Sequence, residues 1–193
     1  MNIIERIKNI LLNPKPEWQV IESEKEPHVK VLTNYVLPLA LIPAIAAFVG
    51  YGLIGYSVFG VKFASISFGV RQAISQYITM VGGVYLTAFV IDLLAPSFQA
   101  KKDLNQAFSL VAYAYTPMFI GGIFNILPSL SWLAFLCGLY GLYLLFVGLQ
   151  PMTQVSAEKR TSYFVVSLVV MIAVSIVLGM ILSAILLKGA IGF

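Results

Sequence analysis

Apolar and polar positions alternate along this chain on the scale of whole helices. After 33 largely polar residues come five apolar runs, at about 36–59, 73–94, 107–127, 131–149 and 163–187, joined by short polar segments. A hydrocarbon core takes roughly 20 helical residues to cross. The pattern therefore predicts an all-α polytopic membrane protein with five transmembrane helices, divided into a cytoplasmic interfacial segment, 1–33, and a membrane domain, 34–193. A finer period runs through the opening residues. Ile3, Ile4, Ile7, Ile10 and Leu11 recur at helical spacing while Glu5, Arg6, Lys8 and Asn9 fill the other side, which predicts an amphipathic helix lying on the membrane surface. Asn13-Pro14 ends it, and Pro16 suits the first position of a second short helix carrying Trp18 and Ile21 on one side. Tryptophan favours the headgroup layer, so Ile3, Ile7, Ile10, Leu11 and Trp18 are the expected membrane-interface residues. Pro27 closes the segment, Pro38 falls in the opening turn of the first span, and Pro43 should bend it.

Composition sharpens the class. Of 193 residues, 60% are hydrophobic and only 10% charged, against about 25% charged in soluble domains, and the mean hydropathy is +0.92. Twelve basic and eight acidic residues give a net charge of +4, without a basic face for nucleic acid. With the N-terminus inside, nine Lys or Arg lie on the cytoplasmic side and three outside, which predicts an N-in, C-out topology. No cleavable signal peptide is visible, so the N-terminus is expected to stay on the mature protein. One cysteine, Cys137, and one histidine, His28, exclude a disulfide framework and argue against a protein-built metal site. Cys137 reads as a small packing residue and His28 as a solvated one. Neither a catalytic serine and histidine at depth nor an aspartate pair is present, and Gly82-Gly83 and Gly121-Gly122 lack phosphate-loop context. An enzyme is not expected, nor any cofactor. Without an internal repeat, the inverted-repeat transporter architecture has no support.

The candidate chemistry is sparse. Asp92 is the one acidic residue at the edge of a predicted span, with Lys101 and Lys102 in the next loop as prospective partners. It reads either as a functional carboxylate or as an interfacial charge that ends a helix. Pro117 in the third span should leave the carbonyl of Tyr113 without an intrahelical partner. Gln106, Ser109, Tyr113 and Thr116 form a polar stripe on the same helix, and Gln72, Gln76, Thr79, Gly83 and Thr87 form another on the second. The two could face each other across a polar seam, or bind neighbouring helices at about 0.6 kcal/mol per contact. Asn125 is expected to end the third span. Ala134, Gly138, Gly141 and Gly148 share a face of the fourth span, and Ser175, Gly179 and Ser183 form a small-residue ladder on the fifth. Such faces pack helices within a chain or between copies, so the second ladder is a candidate homo-oligomer contact.

Three short motifs point to a family. Asp92-Leu93-Leu94-Ala95-Pro96 resembles the Asp-Leu-Tyr-Gly-Pro motif of the Yip domain family, named for proteins that interact with Ypt/Rab GTPases. Ala112-Tyr113-Ala114-Tyr115-Thr116-Pro117 resembles that family's Gly-Tyr-x-x-x-Pro-like motif, and Asn13-Pro14-Lys15-Pro16-Glu17-Trp18 looks like the opening of its bacterial branch. The resemblance runs from about Leu12 to Leu187 and implies a five-span fold in a bacterial inner membrane. It also implies that Asp92, Pro96, Tyr113 and Pro117 matter to the common structure. Apart from the resemblance, the residues themselves leave two functions as expectations. The first is a non-enzymatic membrane protein that organises protein or lipid partners through its cytoplasmic face. The alternative is a small channel or transporter for a cation or lipid, using Asp92, Gln76, Tyr113 and Thr116 along the seam.

Overall fold

In the computed structural model, residues 2–58 and 61–191 are described, with side chains through residue 181 apart from those of Val58 and Lys62. Two short helices, α1 (Ile3–Leu12) and α2 (Pro14–Glu24), precede five helices long and apolar enough to cross a membrane: His28–Ile54, Ile66–Phe98, Leu104–Ile126, Pro128–Thr153 and Ala157–Ile181, here spans 1 to 5. The helix of span 5 continues to Ile191. A two-stranded hairpin, β1 (Tyr56–Val58) against β2 (Val61–Phe63), joins spans 1 and 2 with Tyr56 opposite Phe63.

Local chemistry sets the helix ends. The Asn2 side chain accepts from the Ile4 amide at the start of α1. Asp103 accepts from the amides of Asn105 and Gln106 at the start of span 3, satisfying donors that the first turn leaves free. Lys25, Gln99 and Gln154 take left-handed backbone angles where α2 and spans 2 and 4 end. The second helix starts at Pro14, two residues before the expected Pro16, because proline's missing N–H is harmless at the first helical position. Pro43 lies inside span 1, which has wider π-type turns at Leu32–Val36 and Phe48–Ile54.

Span 3 is the centre of the bundle: 72% of its most apolar window is buried, against 6% for span 5. Two chemical features put it there. Its face is small enough for close approach, since a Cβ built on Gly121 would stand 2.5 Å from Cys137 Cβ and one on Gly122 would stand 2.4 Å from Pro43 Cβ. The facing helix is small as well. Cβ atoms on Gly138, Gly141 and Gly148 would meet Met118 Cε at 2.9 Å, the Ala114 carbonyl oxygen at 2.7 Å and the Trp18 indole at 2.5 Å. The small-residue face of span 4 is thus used inside the chain. The ladder on span 5 is open: a Cβ on Gly179 would meet nothing within 4 Å, the Ser175 hydroxyl returns to its own helix at the Met171 carbonyl, and the Ser183 side chain lies outside the described residues.

Candidate functional site

The polar centre of the molecule lies where α1 and α2 dock against the break in span 3. That break is local: the helix runs Leu104–Ala114, interrupts at Tyr115, and resumes at Thr116–Gly121 with Pro117 in its first turn. Pro117 does free the Tyr113 carbonyl, but the Thr116 hydroxyl donates to it at 2.6 Å. Having spent its only proton there, Thr116 Oγ1 accepts from the Tyr35 hydroxyl at 2.7 Å. The expected free carbonyl is therefore satisfied by the side chain three residues on. Thr116→Val should remove both bonds and strand two buried groups, at about 1–3 kcal/mol. A thermal unfolding series in detergent, with Thr116→Ser expected to stay near wild type, checks this.

Above this network sits Arg6, only 4% exposed. Its guanidinium bonds Glu17 Oε1 at 2.6 Å and also pairs with Glu24. Its Cζ lies 5.3 Å from the centroid of the Tyr113 ring, which meets the Tyr35 ring edge-on at 4.6 Å. These contacts are deep: Tyr113 is nine residues, about 14 Å of helix, from the start of span 3. The far end of α1 reaches further, since the Leu11 carbonyl accepts from the Tyr140 hydroxyl at 2.7 Å, thirteen residues or about 20 Å from the end of span 4 at Thr153. The α1–α2 pair therefore dips among the spans as a helical hairpin. The residues expected at the membrane interface make their contacts with protein. Ile10 and Trp18 are fully buried, and Ile3, Ile7 and Leu11 pack against the same core, so these five residues face protein.

The hairpin also takes up the polar stripe of span 3. Gln106 Nε2 donates to the Glu22 carbonyl at 3.1 Å, Tyr113 lies under Arg6, and Thr116 faces Tyr35 of span 1. Ser109 is buried with them. The stripe does not face span 2, because α1, α2 and span 1 supply its partners. Span 2 meets the break elsewhere: Gly83 lies against the Tyr115 hydroxyl, 3.7 Å from a Cβ built there, with Thr87 buried one turn on. Gln76 is half-buried and outside the network.

Asp92 is 7% exposed, with one carboxylate oxygen lacking a hydrogen-bond partner. It forms no ion pair with Lys101 or Lys102 among the described residues, and both lysines are exposed. The reason is the helix face. Asp92 shares the buried side of span 2 with Ala88, Ile91 and Ala95, where span 5 packs, whereas the lysines follow the left-handed turn at Gln99. Tyr163 of span 5 donates to the Ile91 carbonyl at 2.5 Å and stacks on Phe98 at 4.8 Å, and the buried Ser167 hydroxyl also lacks a partner. Pro96 lies exposed in the closing turn Ala95–Phe98. His28 is tied rather than solvated: its backbone N–H and Nδ1 both meet Asn105 Oδ1 at 2.8 Å, and its ring lies near those of Tyr85 and Phe108.

Two cavities adjoin these groups. One, of 250 Å³, lies between α1, span 1 and Tyr113, walled by Arg6, Glu26, Lys30, Asn34 and Tyr35. The other, of 580 Å³, is an apolar cleft between spans 3, 4 and 5, including Tyr115, Met118, Gly138, Leu142, Met171 and Ile172.

Arg6, Glu17, Glu24 and Tyr35 escape a reading by polarity alone, which assigns charges to the wet face. A signal exists. Arg6 falls between Ile3 and Ile10 at i+3 and i+7, inside the apolar arc, and Glu17 stands in the same arc as Ile21 on the next helix. Opposite charges inside the apolar arcs of consecutive helices mark a buried pair.

Comparison with known proteins agrees with this architecture. Inner membrane protein YohC of Escherichia coli strain K12 is 29% identical over 166 residues, covering 83% of this chain and 85% of YohC, and YohC of Escherichia coli O6:H1 strain CFT073 matches equally. No solved structure matches the chain. The Yip1 domain is matched over residues 8–186, from the middle of α1 into the helix of span 5, and the chain belongs to the Yip1 domain family of integral membrane proteins.

Proposed function

We propose that the protein is a non-enzymatic organiser of the bacterial inner membrane, N-terminus inside and C-terminus outside, that holds lipid or membrane-protein partners. One observation carries this reading. The polar groups a conduction route would need at the break in span 3 are bonded to partners inside the chain, while a 580 Å³ apolar cleft opens sideways between spans 3, 4 and 5. Its walls include Phe135, Leu139, Ile172 and Ile176, all exposed, so the cleft faces the acyl chains. In a bilayer, lipid is the ready occupant. The inner-membrane placement is supported by the likeness to YohC.

The test is native mass spectrometry of the full chain in mild detergent, wild type beside Ile172→Trp. Residue 172 is 52% exposed, so the indole should enter the cleft without disturbing the core. Wild type should retain lipid and the variant markedly less. Equal retention would remove the cleft from the account, and no retained lipid or partner in either sample would contradict the organiser.

The channel or transporter reading keeps one point in its favour, the interrupted helix at Tyr115 meeting Gly83 of span 2. Irregular backbone at such depth is tolerated beside protein or water. Solute flux in vesicles that is lost in Gly83→Leu would favour it.

A further inference from the structure

The smaller cavity is built differently from the apolar cleft. It is a polar chamber lined by Arg6, Glu26, Lys30, Asn34, Tyr35 and Tyr113, between α1 and the first turns of span 1. Its volume of 250 Å³ is that of about eight waters in the liquid, the scale of a headgroup rather than a whole lipid. Ile3 and Val31 complete its lining, so an apolar edge adjoins its charged groups.

The charges are unequal. The wall itself carries Arg6, Lys30 and Glu26, and with Glu17 and Glu24, which pair with Arg6 without lining the chamber, the ion-pair network holds three carboxylates to two cations. Arg6 is held by Glu17 and Glu24, whereas Lys30 Nζ and Glu26 Oε1, 2.5 Å apart, form the accessible pair on the wall. A purely anionic group entering there would find Lys30 but would be opposed by the surplus carboxylate. A zwitterion with a terminal ammonium can oppose both members of the pair, its ammonium toward Glu26 and its phosphate toward Lys30. The Tyr113 ring and the Asn34 amide supply the remaining wall.

We infer that this chamber binds the phosphoethanolamine headgroup of a membrane lipid, in preference to a headgroup bearing net negative charge. The inference rests on the reading that the protein holds lipid, and adds a site and a headgroup class to it. Both side chains of the accessible pair are partly exposed, so replacing them should leave the fold intact.

The experiment reconstitutes the full chain in nanodiscs containing equal dioleoyl phosphatidylethanolamine and dioleoyl phosphatidylglycerol, then counts lipids retained on release by native mass spectrometry. Wild type should retain phosphatidylethanolamine several-fold over phosphatidylglycerol. Glu26→Gln should abolish the preference, and Lys30→Gln should reduce retention of both. Free phosphoethanolamine should compete with the retained lipid. Equal retention, a preference for phosphatidylglycerol, or a phosphatidylethanolamine preference that survives Glu26→Gln would each overturn the headgroup site while leaving the lipid-holding reading intact. Binding of free phosphoethanolamine with no lipid retained would assign the chamber to a soluble ligand and overturn both, as would no binding of any kind.

Discussion

Replacing Arg6 by methionine should destabilise the protein by about 3–5 kcal/mol, the scale found when one partner is removed from a buried ion pair. The effect comes less from the attraction lost than from what remains. Glu17, with a side chain 6% exposed, would be left as an uncompensated buried carboxylate. Glu24, at 31%, can turn to water and should contribute less. The hairpin should therefore detach from the bundle and lose its helical order, opening the Lys8–Asn9 and Lys25–Glu26 bonds to trypsin, and the unfolding midpoint in detergent should fall. The triple variant Arg6→Met, Glu17→Gln, Glu24→Gln should recover much of the loss, since neutral amides leave no charge buried. An unchanged midpoint and unchanged cleavage in Arg6→Met would show that the ion pair does not hold α1 and α2.

A second large effect is expected at Gly141. An alanine there would place Cβ 2.7 Å from the Ala114 carbonyl oxygen, on the residue before the break in span 3. That oxygen belongs to the backbone and cannot rotate away, so spans 3 and 4 must separate, at about 1–3 kcal/mol. Gly138, one turn earlier on the same helix, makes a built-in comparison. Its Cβ would meet only the terminal methyl of Met118, at 2.9 Å, a flexible end that can move aside. Gly141→Ala should lower the unfolding midpoint and Gly138→Ala should leave it close to wild type. Both should keep the wild-type oligomeric state, because this face is consumed within the chain. A change of stoichiometry in Gly141→Ala would instead assign the face to a contact between copies.

The spans were legible because hydrocarbon imposes length and apolarity on each helix, and those survive in one dimension. The break at Tyr115 was legible too, since Pro117 must cost span 3 a hydrogen bond. What heals it is local, the Thr116 hydroxyl three residues on, but the group that supports that hydroxyl was not legible, because Thr116 and Tyr35 meet across 81 positions of sequence. The N-terminal segment shows the limit most clearly. An apolar stripe states that one face leaves water, but it is the same stripe whether that face meets lipid or protein. Asp92 illustrates a related ambiguity, for its nearest charges in sequence are Lys101 and Lys102, and a single left-handed residue at Gln99 directs them elsewhere.

The docking of α1 and α2 among the spans is the central claim, and Trp18 reports on it. Trp18 and Trp132 are the chain's two tryptophans, and Trp132 is 58% exposed, so Trp132→Phe isolates the signal of Trp18. In vesicles of brominated phospholipid, with acrylamide as the aqueous quencher, a Trp18 packed on Gly148 should be shielded from both. Strong quenching by brominated lipid would place the indole in the headgroup layer and contradict the docked hairpin.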